Sequence, residues 1–145
     1  MNKNIIIVIL LATLLTLTTV TSANLETNDT TIKLTVNGHE TTAKMIKNPT
    51  SDEFLELLPL ELELNDLFSR EKYAQLPKEL TDQTEKINNY EIRYIAYYKP
   101  TNSIAIYYDN DNEEIREGII PIAIIDNNTD IFKENNTQVK IELMK

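Results

Sequence analysis

NPTSDEFLELLPLELELNDLFSREKYAQLP, running from Asn48 to Pro77, decides the fold. Asn48-Pro49-Thr50 breaks the chain, and Thr50 with Glu53 three residues later has the form of a capping box. Phe54, Leu55, Leu57 and Leu58 then recur at helical spacing. Pro59 stops this helix after little more than two turns. A helix so short is not stable alone, so its apolar face must close something larger. Leu60, Leu62 and Leu64 alternate with Glu61 and Glu63, a change from helical to strand period within two residues. Tyr73, Ala74 and Leu76 belong to a further strand that ends at Pro77.

The same reading extends in both directions. Ile32, Leu34 and Val36 alternate with Lys33 and Thr35, which predicts a strand over Thr31 to Val36. Asn37-Gly38 is a strong two-residue hairpin signal, and His39 to Ile46 is the return strand. Ile92 to Tyr98 and Ile104 to Tyr108 are β-prone runs around Lys99-Pro100-Thr101-Asn102-Ser103. Lys78 to Tyr90 reads as a long surface loop and Asp109 to Glu117 as an acidic one. Ile119 to Ile125 is a continuous apolar run, as in a strand buried on both sides. Thr129 to Glu134 reads as a short helix or turn. Gln138 to Met144 is the last strand, with Val139, Ile141 and Leu143 inward. About eight short strands with one or two capping helices predict a mainly β fold, a small closed β-barrel.

The chain has 145 residues, enough for one ordinary domain. Residues 1–23 read as a signal peptide: Lys3, an apolar stretch from Ile5 to Leu17, then Thr21-Ser22-Ala23 as the cleavage site. The alternative is an uncleaved membrane anchor through residues 5–20. Residues 24–30 read as a polar, mobile tether and 31–145 as the folded domain. The expected location is therefore outside the cytoplasm, secreted or at the cell surface. There is no cysteine, which excludes disulfides, thiolate metal sites and a lipidated cysteine. The net charge of −9 is interspersed, giving an acidic soluble surface. It argues against nucleic-acid binding and against docking on anionic lipid, so a membrane is a partner only if the N-terminal segment stays uncleaved.

His39 is the sole histidine, and it follows a hairpin turn; it reads as a surface residue. Without a second histidine or a cysteine, a zinc site would need three carboxylates. The run Asp109 to Glu114 offers alternating oxygens, but a calcium loop needs glycine sixth and a carboxylate twelfth, where Glu114 and Ile120 stand. No metal or cofactor is expected. Asn-x-Thr sequons stand at Asn28, Asn127 and Asn135 and would be used only in a host with the machinery.

Four segments, NPTSDEFLELLPLELEL, EKYAQLP, IAYYKPTNSIAIYY and EGIIPIA, in this order and spacing, resemble the bacterial and archaeal cyclophilin-like domain family. The resemblance runs from about Ile32 to Met144. It implies a pared-down cyclophilin barrel with helical caps and short loops. The chain departs from the family pattern at two loops. Glu91 follows Tyr90 where Gly-Asp is usual, and Thr101-Asn102-Ser103 replace a Pro-Trp-Gly type of turn.

Cyclophilins proper catalyse prolyl isomerisation with an arginine aimed at the substrate amide, beside an apolar proline pocket. The corresponding strand here offers Glu71, Lys72 and Tyr73. Arg70 is adjacent, but pleat alternation is expected to send it to the opposite face unless a bulge intervenes. The Phe-x-Gln-Gly-Gly segment and tryptophan are absent. The resemblance thus implies the barrel without the isomerase, and no catalytic residue is assigned. Alternation also puts Tyr97 and Tyr98, and Tyr107 and Tyr108, on opposite faces; cross-strand aromatic pairs commonly serve only to stabilise a sheet. In cyclophilins proper the turn between the matching strands borders the peptide groove. Arg70, Tyr73, Tyr98 and Tyr107 are therefore the ligand-groove candidates. The expected function is a secreted, non-catalytic binding module for a small ligand or extended peptide. The alternatives are a weak peptidyl-prolyl isomerase or extracytoplasmic folding helper, and an interaction domain with no ligand site.

Overall fold

The computed structural model of the chain describes residues 24–127, 129–135 and 137–145. The signal-peptide reading of residues 1–23 lies outside them. Among the described residues no helix is long and apolar enough to cross a membrane.

Eight strands form a closed antiparallel barrel. They are β1 (Thr27–Val36), β2 (His39–Ile46), β3 (Leu60–Leu67), β4 (Glu71–Gln75), β5 (Tyr94–Tyr98), β6 (Ser103–Tyr107), β7 (Ile120–Ile125) and β8 (Thr137–Leu143). The order around the barrel is β1-β2-β7-β5-β6-β4-β3-β8, so β8 sits between β1 and β3. Among the described residues, one helix, α1 (Pro49–Leu55), and two 3₁₀ turns, Lys99–Thr101 and Asp130–Phe132, complete the regular structure.

The β1–β2 hairpin turns on Asn37 at φ 47° and Gly38 at φ 85°, the pair of left-handed residues that a two-residue turn requires. β1 starts four residues earlier than its alternation suggests, at Thr27 rather than Thr31. Thr27 pairs with Ile46, and a register shift separates it from Thr31. The Lys47 amide donates to the Glu26 carbonyl at 2.8 Å. The bulge interrupts the period of two, so the first part of the strand reads as tether.

The cap of α1 is Asn48 rather than Thr50. Asn48 Oδ1 accepts from the Ser51 amide at 2.8 Å, and Pro49 occupies the first turn. Asn48 also donates to the Pro121 carbonyl at 2.9 Å, which ties the cap to β7. Thr50 and Glu53 do not form the expected box. Both hold the long loop instead: Thr50 Oγ1 donates to the Thr81 carbonyl at 2.8 Å, and the Thr81 amide donates to Glu53 at 2.7 Å. A side chain that could close a capping box has found a tertiary partner.

Two apolar clusters result. The barrel interior is filled by Ile32, Leu34, Met45, Ile95, Tyr97, Ile104, Ile106, Ile122 and Ile141, with Phe54 and Phe132. A smaller cluster lies outside the wall, where Tyr90, Ala96, Ala105, Tyr107, Ile115 and Ile119 are packed beneath the 78–93 and 109–119 loops. The tyrosine alternation holds. Tyr97 is in the interior, donating to Asn102 at 3.0 Å and accepting from the Leu80 amide at 3.2 Å. Tyr108 is interior and Tyr107 belongs to the outer cluster.

Candidate functional site

The outer face of β4, β6 and β5 is set by cross-strand register. Glu71 stands opposite Tyr107, Tyr73 opposite Ala105, and Gln75 opposite Ser103. On β5, Ala96 faces Ala105 and Tyr98 faces Ser103. Alanines therefore occupy the middle of the face and tyrosines its sides. The result is a groove of about 450 Å³. Arg70, Tyr73, Tyr98 and Tyr107 all line it, together with Phe68, Glu71, Ser103 and Ala105. The loop residues Glu114, Ile115, Arg116 and Glu117 form the far wall.

Arg70 does not point to the opposite face. It lies ahead of the first residue of β4, in a turn where Phe68 and Ser69 both have positive φ, at 55° and 51°. Pleat alternation therefore does not govern its direction. The Ser69 amide donates to Asp66 at 3.0 Å, and the Arg70 amide to the Leu67 carbonyl at 3.2 Å. The guanidinium is held from several sides. Nε donates to Glu71 at 3.0 Å, and Nη1 donates to both oxygens of Asp111, at 3.2 and 3.0 Å. Its carbon lies 5.1 Å from the Phe68 ring centre and 5.3 Å from that of Tyr90. Tyr90 also donates to Asp111 and stacks on Tyr107, with centroids 4.3 Å apart.

Three nearly buried groups keep an open polar atom. Among the described residues, Arg70 Nη2, Glu71 Oε1 and the Tyr107 hydroxyl have no hydrogen-bond partner. None is sealed off, because among the described residues Thr41 Oγ1 is the one buried side-chain polar atom without a partner. Yet the side chains of Arg70 and Glu71 are only 9% and 7% exposed, and Tyr107 is 1% exposed. These atoms meet solvent only through the groove that their residues line, so a ligand entering it can take the place of that water.

The electrostatics follow the geometry. Burial pushes the Glu71 carboxyl up; Arg70 opposes this, while Asp111 and Asp66 add to it. Burial also raises the Tyr107 hydroxyl, with Glu71 contributing. Asp111 is held below the ordinary carboxylate range by the Tyr90 hydroxyl first, then by the Glu113 amide and Arg70.

Glu71 and Phe68, which line the groove, and Tyr90 and Asp111, which brace Arg70, were not among the expected site residues. Glu71 could have been found, since it shares the outer face with Tyr73 by period two. Asp111 could not, because it belongs to an acidic run whose individual members look equivalent. Lys72 points inward. It is almost fully buried, pairs with Asp66 at 3.2 Å and lies 5.7 Å from the Tyr108 ring centre. Tyr108 also donates to Asp66. A second hollow over β1, β8 and β3 is also about 450 Å³, but solvated side chains such as Glu61, Glu63, Gln138 and Lys140 line it.

In sequence, residues 34–142 match the Cyclophilin-like family. The chain belongs to the Cyclophilin-like family. The closed barrel and its cap suit that membership and agree with the resemblance read from the motifs. The solution structure of the hypothetical protein AF2241 from Archaeoglobus fulgidus superimposes with a TM-score of 0.67 at 15% identity. The match covers 82% of this chain and 98% of that one. At that identity the likeness is one of fold. No curated protein matches the chain in sequence. Membership in the Cyclophilin-like family thus supplies the barrel, and any account of function has to be built on the groove.

Proposed function

We propose that this cyclophilin-like domain is a non-catalytic binding module whose groove over β4, β6 and β5 takes a small ligand or an extended peptide. The observation that carries this reading is the set of open polar atoms on Arg70, Glu71 and Tyr107, three side chains otherwise removed from solvent. Apolar and aromatic walls with a few placed polar groups are the usual composition of a small-ligand site. The test is a titration of the ¹⁵N-labelled protein with capped tetrapeptides containing proline or an aromatic residue. Shifts should concentrate at Tyr73, Tyr98, Ala105 and Tyr107. Ala105→Leu, which fills the floor, should weaken binding by about tenfold or more, the effect of roughly 1.4 kcal/mol. An absence of shifts in the groove would favour an interaction domain with no ligand site.

The second reading, a weak prolyl isomerase or folding helper, draws on the guanidinium lying in the groove. Arg70 already spends Nε and Nη1 on two carboxylates, which lowers the positive potential it can offer an amide nitrogen. Purified protein is therefore expected to show no substantial peptide isomerisation. Robust catalysis that disappears in Arg70→Ala would overturn this and make Arg70 catalytic.

Export is proposed on the apolar stretch and on Thr21-Ser22-Ala23. Mass spectrometry of native material should then find Asn24 first. An intact Met1 terminus in the membrane fraction would support the anchor instead.

A further inference from the structure

We infer that the groove selects ligands bearing a positive charge, an ammonium or guanidinium set between Glu71 and the tyrosine walls, and discriminates against acidic ones. The inference rests on the binding reading above and names the chemistry of the ligand.

Glu71 is the centre of the argument. Its Oε2 is held by Arg70; Glu71 lines the groove, and its Oε1 accepts no hydrogen bond among the described residues. A carboxylate so far out of water is costly when only one of its oxygens is partnered. An incoming cation would supply a charge-assisted hydrogen bond at that oxygen. Tyr107 stands directly opposite Glu71 in the register, and Tyr73 is two residues along the same face. Tyrosine rings attract a cation that has shed part of its water.

Arg70 does not cancel this preference. Its Nη2 is open, but its single charge is shared between Glu71 and Asp111, so the cluster is already one carboxylate in excess and an acidic ligand at Nη2 would meet both. At the far wall, Glu114 and Glu117 outnumber Arg116. Glu117 accepts from the Tyr98 hydroxyl at 3.2 Å, which leaves its negative charge at the groove mouth. Burial already holds the Glu71 carboxyl above its ordinary range, as expected of an undercompensated acid.

The experiment uses three capped tetrapeptides, Ac-Ala-Phe-Xaa-Ala-amide, with lysine, glutamine or glutamate at Xaa. Affinities are measured by calorimetry on the domain at physiological ionic strength. The lysine peptide should bind about tenfold more tightly than the glutamine peptide, the order of one charge-assisted hydrogen bond, and the glutamate peptide most weakly. In Glu71→Gln the ratio of lysine to glutamine affinities should fall towards one. General attraction to an acidic protein would survive that substitution, so a ratio unchanged in Glu71→Gln overturns the inference. Equal affinities in the wild-type protein, or tighter binding of the glutamate peptide, overturn it without any variant, and leave the binding reading standing. Binding of none of the three removes both.

Discussion

Phe54→Ala is expected to lower the unfolding free energy by about 3–5 kcal/mol, the range for truncating a fully buried aromatic. Phe54 has no exposed surface and belongs to the interior cluster, although it sits on a helix of only seven residues. The helix supplies almost none of its own stability. It is held by the Asn48 bond to Pro121, by Ser51 Oγ donating to the Ile122 carbonyl at 3.1 Å, and by the contacts of Thr50 and Glu53 with the long loop. Removing the phenyl ring leaves a cavity that these fixed anchors prevent from collapsing. A chemical-denaturation series measures the effect. A loss below about 1 kcal/mol would mean that Phe54 contributes no more than a surface residue, and would sink the reading of α1 as a helix that closes the barrel.

The second large effect is expected at Asp66. Asp66→Ala strands the Lys72 ammonium inside the barrel wall, where that side chain is 2% exposed. Breaking a wholly buried pair costs about 3–5 kcal/mol; Asp66 meets some solvent, so roughly 2–3 kcal/mol is expected. The same substitution orphans the Tyr108 hydroxyl and the Ser69 amide. In Asp66→Ala/Lys72→Met the charge is gone, and most of the loss should be recovered. If the double variant is no more stable than Asp66→Ala, the cost lies in the turn and not in the buried cation. Burial works against ionisation of Asp66, but the bonds from Tyr108, Lys72 and Ser69 outweigh it and hold its carboxyl below the ordinary range. An acid shifted down stabilises the fold above its unfolded pKa, and that stability is lost as pH falls through the folded value. Denaturation below about pH 4 should therefore be less steep in Asp66→Asn than in the wild-type protein.

The barrel was legible because its signals are local and periodic. Leu60-Leu62-Leu64, Asn37-Gly38 and Ile119 to Ile125 each state their element in a few residues. The short helix was legible as an element, but its cap was not. Thr50 and Asn48 are both good caps; Pro49 in the first turn favours Asn48, and the β7 carbonyl that Asn48 reaches adds a tertiary anchor. Tyr73, Tyr98 and Tyr107 lie on one face, as period-two alternation along their strands allows. Arg70 was misplaced because counting presumes a regular strand, and two left-handed residues precede it. The clasp on Asp111 joins positions 41 residues apart and leaves no trace in either segment. Long-range polar pairing is where sequence reading stops.

The position of β8 has a consequence for how the molecule is made. Residues 137–143 carry the register partners of both β1 and β3. The wall is therefore open on one side until the last strand is available, whatever the hairpin and helix have done before. Pairing the first strand with the last is the contact of longest sequence separation, and such contacts form slowly. A chain whose residues 137–143 have not yet paired cannot complete its barrel, and its first and third strands each keep an open edge until they do.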